Sequence, residues 1–394
     1  MSTNLGLYIH IPFCSSKCSY CHFASGVFPK SLIEPYLNAL RHEIETLPIF
    51  LEKLNTTDHP ISLGRVDTIY LGGGTPSLID EREISSILEF IGRHFGKSPD
   101  AEVTIEVNPG TLKAKKLESY LEAGINRVSV GAQSFQDRLL KQVGRSHSCR
   151  EILATIELCR QQGFRNMNLD LIAGLPGQTA EDWQENLEQV VSLSPEHLSL
   201  YLLEIHENTK LGSHSLGHQG SQGYIEFPDE ELVTKFYEQS VDHLESAGWV
   251  HYEISSLCKP GYHSRHNLKY WTDRPFIGFG CGAHSYCAGW RWGNERDPSR
   301  YVKLQEQQGN AVDFRTELTS RQHLEEVIFL GLRLNSGLDL TRLHQTFGFD
   351  LNDRFGEQIS HLVDGQLLEI EGDQLKLTQR GRLLANEVFV EFME

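Results

Sequence analysis

Three cysteines near the start of the chain are the residues whose type and spacing most clearly indicate chemistry. Cys14, Cys18 and Cys21 are spaced C-x3-C-x2-C and follow the apolar run at residues 7–13. Three thiolates this close together, on a loop after a strand, can hold three irons of a cubane iron–sulfur cluster. The fourth iron then stays open to another ligand, and the sequence predicts that chemistry occurs there.

A zinc ion is the alternative occupant of these cysteines. Zinc also takes cysteine and histidine ligands, and either His10 or His22 is placed to complete the set. The motif lacks the second, distant pair of ligands that most structural zinc modules carry. This difference favours a cluster of iron and sulfur, with zinc as the less expected occupant.

The cysteines lie at the start of a series of alternating strand and helix patterns that extends to about residue 205. The predicted strands cover residues 7–12, 66–71, 102–107, 127–130, 166–171 and 197–203. Such alternation is typical of βα units around a parallel sheet. Six units are too few for a closed eight-stranded barrel, so we expect an α/β fold with a partial, open (βα)6 barrel.

Residues suited to ligand binding follow all six predicted strands. They are the cysteine loop, Gly-Gly-Gly-Thr-Pro at 72–76, Glu-Val-Asn-Pro at 106–109, Gly-Ala-Gln-Ser at 131–134, Asp170 with Gly-Leu-Pro-Gly at 174–177, and Glu204. Ligands collect at the carboxyl ends of strands in parallel βα folds. We therefore expect these six segments to form one shared site.

The second half of the chain has weaker patterns. Residues 231–247 are predicted as a helix, residues 252–291 are rich in aromatics, glycine and histidine, and helices followed by a hairpin are predicted beyond residue 316. We predict three domains: the barrel at 1–215, an extension at 216–305, and a mainly helical, winged-helix-like C-terminal domain at 306–394.

Composition sets the expected class and location. The net charge of −17 argues against a nucleic-acid partner, which would need a basic groove. We expect neither a signal peptide nor a transmembrane segment, and eight cysteines in 394 residues do not suggest a disulfide scaffold. The sequence thus predicts a cytoplasmic protein, with peripheral membrane contact only if its partner lies at a membrane.

The cysteine segment at residues 14–21 resembles the signature of the radical S-adenosylmethionine (SAM) superfamily, in which an aromatic residue, here Tyr20, precedes the third cysteine. The resemblance implies a [4Fe–4S] cluster whose open iron binds SAM. Reductive cleavage of SAM in this superfamily yields a deoxyadenosyl radical.

Within that superfamily the chain resembles the family of oxygen-independent coproporphyrinogen III oxidases (HemN) and their relatives, the HemW haem chaperones. The matching motifs lie at residues 8–14, 72–76, 131–135, 168–171 and 174–177. The resemblance implies that Cys14, Cys18 and Cys21 ligate the cluster. It implies SAM contacts for Tyr8, Tyr20, Gly73, Gly74, Thr75, Glu106, Gln133, Arg145 and Asp170, with Glu106 on the ribose and Arg145 on the carboxylate.

The segment at residues 266–271, His-Asn-Leu-Lys-Tyr-Trp, resembles the HNxxYW motif of the HemW branch. The resemblance makes His266, Asn267, Tyr270 and Trp271 haem candidates, because imidazole ligates haem iron and aromatic rings pack on porphyrins. His284 is a second, weaker candidate ligand. The alternatives are a satisfied core histidine and a wall of the SAM pocket.

Two functions follow from the resemblance. One is a haem chaperone that binds haem and passes it to an acceptor protein, and the other is an enzyme, oxygen-independent coproporphyrinogen III dehydrogenase. The oxidase has a further cysteine where this chain has Phe23, and it has a sizeable segment before the first strand where this chain has six residues before Leu7. Together with the HNxxYW match, these departures favour the chaperone.

Overall fold

A parallel six-stranded sheet with helices on its outer face forms the first half of the chain. The computed structural model describes residues 4–54, 63–215 and 226–393. The six strands are β1 (Leu5–Ile11), β2 (Val66–Gly73), β3 (Lys97–Val107), β4 (Arg127–Gln133), β5 (Met167–Ala173) and β6 (His197–Leu202). The helices are α1 (Ile33–Leu54), α2 (Glu81–Phe95), α3 (Ala114–Glu122), α4 (Asp137–Gln142), α5 (Cys149–Gln162), α6 (Ala180–Leu193) and α7 (Lys210–Ser215).

The two faces of the strands serve different purposes. In β1 and β2, Leu7, Ile9, Ile69 and Leu71 are fully buried in the main core. The alternate residue Tyr70 faces the barrel interior, where its hydroxyl donates to Glu106 Oε1 at 2.9 Å. Because side chains alternate along a strand, an apolar outer face leaves every second position free for the interior.

The barrel is open, as predicted. β1 to β6 pair in sequence order. The sheet continues beyond β1 on one side and beyond β6 on the other, and it ends at two edge strands, so it does not close on itself. The additional strands are β7 (Val250–Glu253), β8 (Ser256–Cys258), β9 (Phe276–Phe279), β10 (His284–Cys287), β11 (Trp290–Asn294) and β12 (Val312–Glu317). β8 and β7 extend the β6 side, and β9 to β12 extend the β1 side.

Three further helices accompany these strands: α8 (Glu230–Ser246), α9 (Arg265–Trp271) and α10 (Pro298–Gln308). The helix predicted at 231–247 is α8, which begins after Asp229, whose side chain accepts from the Leu232 amide. The strands between residues 250 and 294 were not predicted. They have only three to five residues, too few for a period to be visible in the sequence.

The C-terminal region has its own core and its own sheet. Its helices are α11 (Ser320–Leu332), α12 (Leu340–Phe347), α13 (Leu351–Asp364), α14 (Gln379–Leu383) and α15 (Ala385–Val390). Its strands are β13 (Leu338–Asp339), β14 (Leu368–Glu371) and β15 (Gln374–Leu377), in the order β13-β15-β14. This mainly helical, winged-helix-like arrangement confirms the predicted fold class.

Across the described ranges, no helix is both long and apolar enough to cross a bilayer.

Candidate cofactor site

A cavity of about 400 Å³ opens at the carboxyl ends of β1 to β6. Its volume is within the range of small-molecule sites. The residues on its wall come from all six strand ends, and they include Cys14, Cys18, Cys21, Gly73, Gly74, Thr75, Glu106, Gln133, Arg145, Asp170 and Glu204. The structure therefore brings residues from all six segments to one place, although the fifth contributes Asp170 to the wall and not the Gly-Leu-Pro-Gly turn at 174–177.

The three cysteines lie on the loop after β1, and none of them forms a disulfide. The Cys14 amide donates to the Gly26 carbonyl at 2.9 Å, and the Cys21 amide donates to the Cys18 carbonyl at 3.3 Å. Burial raises the pKa of the Cys14 thiol, while hydrogen bonds with Thr75 and Ser25 oppose that rise. All three thiols are half-buried and face the cavity, so they fit a ligand that is bound at the cavity wall.

The two histidines considered as zinc ligands differ in their surroundings. His10 is buried, with Nδ1 at 3.0 Å from the Tyr8 hydroxyl and Nε2 at 2.9 Å from the Ala24 carbonyl. Burial lowers the pKa of His10 to about 4. Both of its ring nitrogens are therefore occupied, whereas His22 is exposed. Among the residues whose placement is described, no group of three His, Cys, Asp or Glu side chains is arranged around a single metal ion.

The glycines after β2 allow the chain to pass close to the end of β1. Gly73 has φ +113°, and a Cβ there would lie 2.5 Å from His10 Cε1. A Cβ on Gly74 would lie 2.8 Å from the Phe13 carbonyl oxygen. Glycine is needed at both positions for packing alone. The predicted contact of this turn with SAM is additional to that structural role.

Two buried carboxyl groups face the cavity from neighbouring strands. Glu106 accepts from the Tyr70 hydroxyl and, at 3.0 Å, from the Gly73 amide. Burial, then the charge of Asp170, raises the pKa of Glu106 to about 7. Burial also raises the pKa of Asp170, which accepts from Asn168 Nδ2 at 2.7 Å. The pair is suited to accept hydrogen bonds from hydroxyl groups of a ligand.

Arg145 brings a cation to the cysteine loop. Its Nη1 lies 3.4 Å from Cys18 Sγ, and its Nη2 donates to the Gly131 carbonyl at 2.6 Å and to Asn108 Oδ1 at 3.0 Å. Its Nε is buried and has no partner within the described part of the chain. A guanidinium with a spare donor beside a thiolate fits both a cluster ligand and an anionic cofactor.

Gln133 adopts a backbone conformation that is unusual for its type. Its φ is +68°, and the pairing of β4 with β5 shifts register between Val130 and Gln133. A left-handed conformation costs a non-glycine residue free energy and clusters at functional sites. The bulge turns the 131–134 segment toward the cavity.

The two predicted tyrosines are separated. Tyr20 lines the cavity beside the cysteines. Tyr8 lies inside the barrel, with its ring centroid 6.2 Å from that of Tyr70. Tyr8 is absent from the cavity wall that the described residues form, so only Tyr20 is in direct reach of a ligand there.

The HNxxYW segment lies in α9, at the amino ends of the strands and away from the cavity. The Lys269 ammonium donates to the Asn4 carbonyl at 3.1 Å and is 2.7 Å from Asp67 Oδ1. The amide of His266 donates to Glu102 Oε1 at 3.0 Å. Asn4 precedes β1, Asp67 lies at the start of β2, and Glu102 of β3 pairs with Thr68 near the start of β2, so α9 closes that end of the barrel.

The side chain of His266 is enclosed on all sides. It is 1 % exposed, and hydrogen bonds of 2.8 and 2.9 Å join its ring nitrogens to the hydroxyls of Thr68 and Tyr270. Its ring stacks on Tyr70 with centroids 5.4 Å apart. Burial lowers the pKa of His266 to about 3.

The other haem candidates are also away from the cavity wall. Asn267 donates its amide to Ser264 Oγ, and the Arg333 guanidinium lies 4.3 Å above the Trp271 ring. His284 is exposed at the start of β10, with its ring centroid 5.5 Å from that of Phe314.

The wall also includes polar residues to which no contact with SAM was assigned, among them Tyr70, Asn108, Ser129 and Tyr201. The period of two along each strand carries the signal for the first and third. Tyr70 precedes Gly72 by two positions, and Ser129 precedes Gly131 by two, so each shares a face with a residue of the recognised motif.

Comparison with known proteins gives consistent matches. The radical SAM superfamily pattern matches residues 8–190, and the HemN C-terminal domain pattern matches residues 318–384. The heme chaperone HemW of Bacillus subtilis is 35% identical over 387 residues, which is 98% of each chain. The heme chaperone HemW of Escherichia coli is 38% identical over 283 residues, 71% of this chain and 69% of that protein.

A solved structure, the coproporphyrinogen III oxidase HemN from Escherichia coli, described as a radical SAM enzyme, superposes with a TM-score of 0.83. It is 24% identical, and the match covers 99% of this chain and 90% of that chain. At that identity the likeness shows a shared fold.

Proposed function

Because this chain belongs to the HemW family of the radical SAM superfamily, we propose that it is a haem chaperone, which binds haem and passes it to an acceptor protein. The observation that carries the proposal is the near full-length similarity to proteins named heme chaperone HemW. The predicted acceptor is a haem-binding protein whose identity the chain does not specify.

The cavity supports the cofactors of the superfamily, a [4Fe–4S] cluster and SAM. Cys14, Cys18 and Cys21 would hold the cluster, since thiolates are the ligands that such clusters take. When bound, the cluster would supply the electron that cleaves SAM. The residues predicted to contact SAM, apart from Tyr8, share one wall with the cysteines.

The polar groups of that wall suit the parts of SAM that need partners. Glu106 and Asp170 present carboxyl oxygens for ribose hydroxyls, and Arg145 has a buried Nε without a partner in the described structure. A carboxylate of the cofactor that accepts from that Nε would satisfy it. These assignments remain predictions until ligand binding is measured.

The enzyme alternative has less support. The similarity to HemN is a similarity of fold. Phe23 lines the cavity at the position where a cysteine would be expected if the chain were the oxidase. The side chain of Phe23 is 57 % exposed, so it offers an apolar contact and no metal ligand.

The haem ligand remains a prediction as well. Ligation of iron by His266 would require the loss of two buried hydrogen bonds and movement of α9. The proposed cytoplasmic location, the absence of a nucleic-acid partner and the three predicted domains likewise stay predictions. The boundary between the first two domains, at 215/216, is adjacent to residues outside the described ranges.

The proposal is tested by two anaerobic measurements on the reconstituted full chain. Titration with ferric haem is expected to give a bound Soret band that stays with the protein in gel filtration. Incubation with SAM, a reductant and coproporphyrinogen III is expected to give no protoporphyrinogen. Turnover in the second measurement at ordinary enzyme rates, about 1 per second or more, would replace the chaperone by the enzyme.

A further inference from the structure

Two histidines that the proposed function does not use lie against each other at the entrance of the cavity. The ring centroids of His22 and His206 are 4.1 Å apart. His22 follows the last cluster cysteine, and His206 lies in the segment after β6. The Leu211 amide donates to the Ser19 carbonyl at 2.8 Å, which holds the two segments together. We call His22, Phe23, Leu202 and His206 the cavity mouth.

The two imidazoles of the cavity mouth differ in their access to a ligand. His206 Nε2 is buried and lies 3.4 Å from Glu204 Oε2, so it packs behind the other ring. His22 is exposed, and its side chain lines the cavity. A neutral imidazole carries the lone pair that an iron ligand needs.

The surroundings of this pair are apolar and open. Phe23 and Leu202 line the cavity and are 57 % and 42 % exposed. The Phe23 ring centroid lies 4.9 Å from that of His22. Exposed apolar side chains that cluster at a cavity entrance mark a binding surface for an apolar ligand.

Two cations flank the same surface. Lys17 lies on the cavity wall, and Arg296 donates from Nη2 to the His22 carbonyl at 3.1 Å. A flat, apolar ligand with carboxylate groups would find charge partners at the edge of the apolar surface.

We propose that the cavity mouth is the haem-docking site, where an imidazole nitrogen of His22, backed by His206, replaces water on the haem iron. The porphyrin packs on the exposed apolar side chains, and its propionates face Lys17 and Arg296. The inference rests on the proposed function and adds to it the place where haem binds. In contrast to ligation by His266, it breaks no buried hydrogen bond.

The test is a haem titration of the reconstituted full chain and of the variant His22→Ala/His206→Ala. The wild type is expected to show the Soret band and the electron paramagnetic resonance signal of imidazole-ligated iron. In the double variant we expect loss of that signal and affinity lower by about tenfold or more. His94→Ala is the matched control, since His94 is an exposed histidine in the last turn of α2.

A second ligand tests the proposal without any substitution. Metal-free protoporphyrin keeps the apolar ring and the propionates but has no iron to ligate. We expect the wild type to bind it about as weakly as the double variant binds haem. Equal affinity of the wild type for haem and for metal-free protoporphyrin would overturn the inference.

The outcomes separate the two proposals. Absence of haem binding by the wild type would overturn the proposed function and this inference with it. If the double variant binds haem with wild-type affinity and spectrum, the inference alone is overturned. The same holds if His266→Ala loses the ligation signal while the double variant keeps that signal in full. Iron and sulfide are measured in each variant, so that loss of the cluster is not mistaken for loss of the haem ligand. The single variant His206→Ala, which leaves the cysteine loop unchanged, is measured in the same way.

Discussion

The two ends of the barrel are built from similar residue types but leave their polar groups in different states. At the amino ends of β1 to β3, α9 closes the barrel, and the ring of His266 is hydrogen bonded at both nitrogens. At the carboxyl ends, Glu106 and Asp170 lie on the wall of an open cavity, and burial raises the pKa of both. Tyr70 joins the ends, since it stacks on His266 and donates to Glu106.

This difference shows how to judge a motif that could serve either structure or ligand binding. At the closed end, hydrogen bonds and stacking within the fold account for the histidine and the tyrosines. At the open end, the protein provides free thiols, carboxyl groups that are costly to ionise, and an arginine Nε with no partner in the described chain. The thiols and the arginine Nε of the open end are placed where a ligand in the cavity can use them.

The largest effect is expected from the cysteine loop. Cys18→Ala removes one of three cluster ligands, so we expect bound iron and acid-labile sulfide to fall from four per chain to nearly none. Cys149→Ala is the control, because Cys149 is a free, half-buried cysteine on α5. Equal loss in both variants would contradict the assignment of the cluster to the open end.

The closed end is tested by stability. His266→Ala leaves a cavity under Tyr70 and removes the partner of two buried hydroxyls. We expect the free energy of unfolding to fall by about 3–5 kcal/mol, measured by thermal or denaturant unfolding. His94→Ala, at an exposed position, is expected to change it by less than about 0.5 kcal/mol. A similar small change in both variants would mean that α9 does not close the barrel as described.

The carboxyl group of Glu106 predicts a pH dependence. The pKa of this group is about 7 in the folded protein and near 4.5 in the unfolded chain. Between these values the folded state holds one more proton, so stability falls as pH rises through this window, by about 3 kcal/mol in total. In Glu106→Gln this contribution is absent.

The free energies of unfolding of wild type and Glu106→Gln, measured from about pH 4 to pH 8 without SAM, should therefore diverge in favour of the variant. Parallel curves would show that Glu106 ionises as freely in the folded protein as in the unfolded chain.

Much of the open end could be predicted from the sequence, because local patterns determine it. Five of the six strands were predicted to within three residues of their observed bounds, whereas β3 begins five residues before its predicted start. Their carboxyl ends meet in any parallel βα barrel. The cysteine spacing and the Gly72–Gly74 turn are readable in the same way. What was missed, such as Tyr70 and Ser129, depends on which face of a strand turns inward.

The location of α9 could not be predicted, for a different physical reason. His266 is separated from its partner Thr68 by 198 positions in the chain. Its surroundings arise when β9 pairs with β1, and no local period indicates that pairing. The motif was recognised as a string of residues, and only the fold shows that its histidine is enclosed.

The smallest effect compares two glutamines with the same backbone strain. Gln133 on the cavity wall has φ +68°, and Gln366 in the C-terminal region has φ +58°. Glycine adopts this conformation freely, so Gln133→Gly and Gln366→Gly should each raise the free energy of unfolding by about 1 kcal/mol. Only Gln133→Gly should also weaken SAM binding, measured by calorimetry on the reconstituted protein, because it removes an amide from the open end.

If both substitutions stabilise and neither changes SAM binding, the strain at Gln133 serves the bulge in β4 alone. If Gln133→Gly weakens binding while Gln366→Gly does not, the strain is retained because the side chain contacts the cofactor.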